Sequence, residues 1–106
     1  MEVNYSVEEN TLIVCLAGEI DHHVAEKLRK DIDGEIDFYQ TKDLIFDFSG
    51  VEFMDSSGIG VVFGRYKKVS ALGGSVKIHN ACRLVKRILA MAGVFSLIDY
   101  EDTTAE

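Results

Sequence analysis

Two hydrophobic periods alternate along the chain. Val3, Tyr5 and Val7 fall on every second position, and Thr11-Leu12-Ile13-Val14-Cys15-Leu16 is a continuous run of strand-forming residues. Joined by the turn-like Glu8-Glu9-Asn10, these segments predict an antiparallel hairpin. After Gly18-Glu19-Ile20 the period lengthens, and Val24, Leu28, Ile32 and Ile36 define one face of a helix. Asp21 stands where its carboxylate can accept a hydrogen bond from a free N–H of the first turn. Gly34 weakens the last turns, and the helix is expected to fray before Lys42.

Leu44, Ile45, Phe46 and Phe48 form a short apolar run, which predicts a strand covered on both faces. From Ile59 the spacing is helical again. Ile59, Val62, Phe63 and Tyr66 make an apolar face, Arg65, Lys67 and Lys68 fill much of the other, and Gly73-Gly74 stops the helix near Leu72. Ser75 to His79 alternates as a short strand. Asn80 is placed to cap a third helix with Leu84, Val85, Ile88, Leu89 and Ala92 on its apolar face, ended by Gly93. Val94 to Tyr100 reads as a last strand, and the tail from about residue 101, EDTTAE, as solvated. The order β-β-α-β-α-β-α-β predicts an α/β fold, a mixed β-sheet with packed helices and right-handed crossovers.

The length of 106 residues and 47% hydrophobic content fit one domain spanning 1–106 with a single core. A formal net charge of −7 opposes attraction to phosphate backbones and anionic lipid, which argues against nucleic-acid and membrane partners. MEVNYSVEEN has neither a basic leader nor an apolar core, so a soluble, non-exported protein is expected. Cys15 and Cys82 lack metal-site spacing and read as reduced structural thiols.

Candidate chemistry concentrates where the strand period gives way to the helical one, at Asp55-Ser56-Ser57-Gly58. One cap residue suffices for the helix, yet Gly58 and Gly60 weaken it and invite close approach by another molecule. A hydrolase would use Ser56 or Ser57 with a histidine base, but the G-x-S-x-G elbow is missing and His22, His23 and His79 have no triad spacing. Gly58, Gly60 and Gly64 lack the lysine and hydroxyl pair of a phosphate loop. Adjacent His22 and His23 point apart on a helix, with no third metal ligand specified. Two readings remain. Both serines serve only as helix caps, or Ser56 is the substrate of another protein's kinase. A phosphate there adds about −1.5 to −2 charges at a helix N-terminus that tolerates them and repels a partner docked over the turn.

Gly18-Glu19-Ile20-Asp21-His22-His23, then Phe53-Met54-Asp55-Ser56-Ser57-Gly58-Ile59-Gly60 and Gly64-Arg65-Tyr66-Lys67, resemble the STAS-domain anti-sigma factor antagonists over nearly the whole chain. The D-H-H and G-R-Y-K segments tilt the resemblance toward the sporulation branch over the general-stress branch. It implies partner switching in the cytoplasm. The unmodified protein binds an anti-sigma factor that is also a serine kinase, and the sigma factor is released for transcription. The kinase, using its own ATP and Mg²⁺, phosphorylates Ser56, the phosphoprotein dissociates, and a PP2C-type phosphatase restores it. The antagonist itself is implied to have no catalytic residues, metal or cofactor of its own, and with no sustained heptad pattern in the chain a monomer is expected. Asp21, Asp55, Ser56, Ser57, Gly58 and Gly60 are implied to form the partner-binding surface. The alternative from another class is a STAS ligand-binding or scaffold module that senses a small anion at the helix N-terminus.

Overall fold

The computed structural model describes residues 1–103. Its elements follow the predicted order: β1 (Glu2–Glu8), β2 (Thr11–Ile20), α1 (His22–Tyr39), β3 (Asp43–Met54), α2 (Ser56–Ala71), β4 (Val76–His79), α3 (Arg83–Met91), a 3-10 turn (Val94–Ser96) and β5 (Asp99–Glu101). The strands form one five-stranded mixed sheet in the order β1-β2-β3-β4-β5. Only β1 runs antiparallel to its neighbour, and the Glu8↔Thr11 pair closes the hairpin over Glu9 and Asn10. Glu9 takes the left-handed conformation that so tight a turn requires, with φ 56.

One face of the sheet is the core. Leu12, Val14 and Leu16 on β2, Leu44, Phe46 and Phe48 on β3, and Val76 and Ile78 on β4 are buried. Against them pack Leu28, Ile32 and Ile36 of α1, Val61, Val62 and Val69 of α2, and Val85 and Leu89 of α3. On the opposite face Ile13, Cys15, Ile45, Asp47 and His79 are only half-buried, so β3 is not covered on both sides as its apolar run suggested. Ile45 is the reason: it is apolar but half-buried, so the sequence run is continuous although the burial alternates.

Several boundaries depart from expectation. β3 continues to Met54, because Gly50 to Met54 pair with Ala17 to Ile20 across two register shifts. Such irregular pairing leaves no clean period of two to detect. α1 does stop short of Lys42, as expected: it runs through Gly34, at which a Cβ would meet open space, and ends at Gln40 with φ 52. Arg65, assigned to the polar face of α2, is 8% exposed. Val94 to Tyr100 is not one strand: a 3-10 turn buries Val94, and only Asp99–Glu101 pairs with β4. Cys82, not Asn80, is the N-cap residue of α3. Asn80 is left-handed, with φ 62, and its amide bonds Thr103 in both directions, at 2.9 and 2.7 Å. Leu84, with 47% exposure, and Ala92 lie off the buried face of α3. Pairing thus persists through Glu101, and the remainder of the expected tail, 104–106, falls outside the described residues.

Tyr5 of β1 reaches the core side, where its hydroxyl is buried without a hydrogen-bond partner. Burial, with smaller contributions from Asp31 and Glu35, pushes its pKa from 10.0 up to about 12. The folded state therefore holds this proton more tightly than the unfolded chain. Its contribution to stability is full below the ordinary tyrosine pKa and is lost as pH rises from 10.0 toward about 12. Tyr5→Phe removes an unsatisfied hydroxyl, so the variant should be at least as stable as the parent at neutral pH. It should also lose less stability across that alkaline window, as read from urea unfolding midpoints at both ends of it. An unchanged alkaline loss would exclude Tyr5 as its source.

Candidate functional site

The parallel pairing of β2 and β3 ends with Ile20↔Met54, so Asp21 and Asp55 leave the sheet side by side. The Asp55 N–H donates to the Ile20 carbonyl at 3.1 Å, fixing the two strand ends together. Each aspartate then turns to cap a helix. Asp21 Oδ1 accepts from the N–H groups of His23 and Val24 at 3.0 and 3.3 Å. Asp55 Oδ1 accepts from Ser57 N–H at 2.8 Å. Both have extended backbones, the usual geometry of an N-cap. Two helix N-termini, with their partial positive charge, thus open on one end of the sheet, each carrying a carboxylate.

Because Asp55 holds the cap, neither serine does. Ser56 is the first residue of α2 and is exposed; Ser57 is half-buried. No hydrogen bond from either hydroxyl occurs among the described residues. The reading in which both serines serve only as caps therefore fails on geometry. Gly60 is exposed, with open space where a Cβ would stand, as a close-approach surface needs. Gly58 is different. It is buried beneath the turn, and a Cβ there would lie 2.9 Å from Met54 Cβ and 3.3 Å from Ile20 Cγ2. The expectation of an exposed Gly58 is corrected: its role is to let α2 start directly against the ends of β2 and β3, which sets the height of Ser56.

A second contact fixes the direction of α2. Arg65 Nε lies 2.8 Å from Asp33 Oδ1 of α1, and its Nη1 donates to Val61 O at 3.4 Å. The Nε–H is not aimed at the carboxylate, so the approach is an ion pair without an aligned hydrogen bond. Burial lowers the guanidinium pKa, and Asp33 opposes that shift. Lys68 and Asp37 add a more exposed pair at 3.0 Å between the same helices.

The enzyme readings find no support in the arrangement. His22 and His23 do not point apart as expected: their rings lie tilted against each other with centroids 4.1 Å apart, and His79 lies 3.4 Å from Glu101 on the open sheet face. Neither pairing involves a serine. Among the described residues no three His, Cys, Asp or Glu side chains gather in a way that could hold a metal. No helix among them is long and apolar enough to cross a membrane. Cys15 is half-buried, its pKa raised by burial and by Asp47, and Cys82 is exposed; both thiols are free. One feature escaped the sequence reading. Phe53, two residues before Asp55 at the end of β3, is 41% exposed, a large apolar group open to solvent. The signal was the broken alternation of Val-Glu-Phe-Met.

The model of the STAS domain family matches residues 2–106. The chain belongs to the STAS family. The anti-sigma F factor antagonist of Paenibacillus polymyxa is 33% identical to this STAS domain over 96% of this chain and 87% of its own length. The anti-sigma-B factor antagonist of Bacillus subtilis is 36% identical over 93% of this chain and 91% of its own. Among solved structures, the anti-sigma factor antagonist SpoIIAA in its unphosphorylated form superposes with a TM-score of 0.85 at 29% identity, covering 97% of this chain and 89% of SpoIIAA. The phosphorylated form of Bacillus SpoIIAA superposes with a TM-score of 0.77 at the same 29% identity, covering 97% of this chain and 92% of its own.

The two glycines at the head of α2 give opposite expectations. Gly60→Ala should stabilise the domain by roughly 0.5–1 kcal/mol, since alanine favours helix and meets nothing. Gly58→Ala should destabilise it by about 1–3 kcal/mol despite the same propensity gain, because the added methyl overlaps Met54 and Ile20. Urea unfolding of the two variants separates packing from propensity. Equal signs would contradict the packing role of Gly58.

Proposed function

We propose that this STAS domain is an anti-sigma factor antagonist whose binding is switched by phosphorylation of Ser56. The observation that carries the proposal is the free, exposed Ser56 hydroxyl on the first residue of α2, relieved of cap duty by Asp55. Two named antagonists at 33 and 36% identity support the role. SpoIIAA, which exists in unphosphorylated and phosphorylated forms, supports phosphate as the switch.

In this reading the partner is an anti-sigma factor with serine kinase activity. It docks over the turn formed by Asp21, Asp55, Ser56, Ser57 and Gly60, and the sigma factor is released in the cytoplasm. The kinase brings ATP and Mg²⁺. Its base accepts the Ser56 proton as the hydroxyl oxygen attacks the γ-phosphorus, and ADP leaves. This chain contributes position and no catalysis: the cap and the packing of Gly58 hold the acceptor at one height. The product survives as a fold because the α2 N-terminus favours a negative charge by roughly 0.3–1 kcal/mol. It loses the partner because phosphate, Asp55 and Asp21 together make a like-charged, costly surface to desolvate. A PP2C-type phosphatase resets the switch, and the antagonist acts as a monomer.

The sporulation branch is supported by the D-H-H and G-R-Y-K segments and by the sigma-F relative. The general-stress branch is favoured by one observation, the 36% identity to the sigma-B antagonist. Pull-down against a sigma-F-type and a sigma-B-type anti-sigma kinase separates them, the cognate kinase alone being retained.

Incubation with the cognate kinase, ATP and Mg²⁺ should add one phosphate by intact mass. The addition should persist in Ser57→Ala and vanish in Ser56→Ala. Ser56→Asp should keep the parent melting profile while binding the kinase about 100-fold more weakly, the effect of roughly 2.8 kcal/mol. Phosphate on Ser57, or undiminished binding by a folded Ser56→Asp, would remove Ser56 from the mechanism.

A further inference from the structure

α3 carries Arg83, Lys86 and Arg87 and no acidic residue, in a chain whose formal charge is −7. None of the three forms an ion pair among the described residues, and unlike the other unpaired cations, Arg29, Lys42, Lys67 and Lys77, they stand together on one short helix. They line a groove of about 490 Å³ between α3 and the edge strand β5. Its floor is aromatic: Phe95 meets Tyr100 edge to face at 5.3 Å, and the Lys86 ammonium sits 4.2 Å over the Tyr100 ring. The floor is also held still. The Tyr100 hydroxyl donates to Asp102 Oδ1 at 2.6 Å, with the Ala81 carbonyl 3.2 Å away. The small side chains of Ala81 and Ala90 complete its lining.

We propose that the groove between α3 and β5 is a docking surface for a short acidic segment of another protein, anchored by an aliphatic or aromatic side chain on Phe95 and Tyr100. Charge complementarity decides the chemistry. Three unneutralised cations beside an apolar floor suit carboxylates flanking an apolar anchor. Asp102, the one acidic side chain of the lining, is held by the Tyr100 hydroxyl, and the acidic residues of the segment are drawn to Arg83, Lys86 and Arg87. An extended polyanion is disfavoured, because beyond the groove the surface is strongly negative and repels it. No residue of the Ser56 turn lines this groove, so docking there does not require an unmodified Ser56; β5 stands two strands from β3, while α3 begins nearer to it, with Cys82 Sγ 3.6 Å from the Val51 carbonyl.

The test is an ¹H–¹⁵N titration of the full chain with a short synthetic peptide repeating Glu-Glu-Leu-Leu, beside its Gln-Gln-Leu-Leu counterpart. Saturable shifts should be confined to α3, the 3-10 turn and β5, and should weaken with salt. Combined Arg83→Glu, Lys86→Glu and Arg87→Glu should reduce affinity about tenfold or more. Ala90→Trp should do the same by filling the groove without changing charge. Combined Lys27→Glu, Lys30→Glu and Lys67→Glu, which makes the same net change elsewhere, should leave binding within about twofold, and Ser56→Asp should leave it unchanged. The proposal is overturned by the absence of saturable shifts, by an equal response to the glutamine peptide, by equal loss in the charge-matched control, or by shifts centred on Ser56. Concentration-dependent self-association through α3 without peptide would make a second copy the occupant and overturn it as well.

Discussion

The parallel pairing of β2 with β3 is the constraint on which the rest of this domain depends. It runs from Thr11↔Asp43 to Ile20↔Met54 and passes through two register shifts before the strands end together. Without that common end, Asp21 and Asp55 would cap helices at different heights and the two N-termini would not share a surface. The irregular stretch is held by close backbone approach: a Cβ on Gly50 would lie 2.7 Å from Ala17 Cβ. Irregular pairing of this kind bends and twists a strand locally, and here it occurs in the last residues before the turn.

From that fixed end, α2 is positioned by three contacts of different character. Asp55 caps its first turn, Gly58 lets it rest on Met54 and Ile20, and Arg65 meets Asp33 of α1 across the core-side surface. A buried guanidinium is costly to desolvate and adds little net stability even when paired, but leaving it unpaired would cost much more. The pair therefore acts on geometry more than on stability, restricting how α2 sits against α1. The polar serine face of the first turn is left free of structural duty, and a charge added there disturbs none of the three contacts. Under the proposed switch, that separation would let Ser56 be modified while the fold stays as it is.

The surface is divided in charge as well. The end of the sheet at Asp21 and Asp55 is acidic, α3 is basic, and the uncovered sheet face carries Asp43, Asp47, Asp99 and Glu101 around Ile13, Cys15 and Ile45. The uncovered face also carries Lys77, opposite Asp99, so its acidic groups are in part offset there. Fields of opposite sign on one molecule orient a partner as it approaches, ahead of any direct contact.

The sequence alone determined the element order, the hairpin, the α/β class and the family resemblance, because periods of two and four and the cap and stop residues act over a few neighbours. Asp21 as a cap, Gly73-Gly74 as a stop and the strand at Leu44 to Phe48 were legible for that reason. What only the tertiary structure decided was which competing local signal won. Asp55 rather than a serine caps α2, since only one side chain can occupy that position and the β2–β3 end places Asp55 in it. Arg65 is buried because Asp33 of α1 waits across the interface, a pairing invisible in α2 itself. Asn80 gave up its cap to bind Thr103, and Val94 turned inward in a 3-10 turn where its β-branched side chain had suggested a strand. In each case a contact between residues distant in sequence outweighed a local preference of about a kilocalorie.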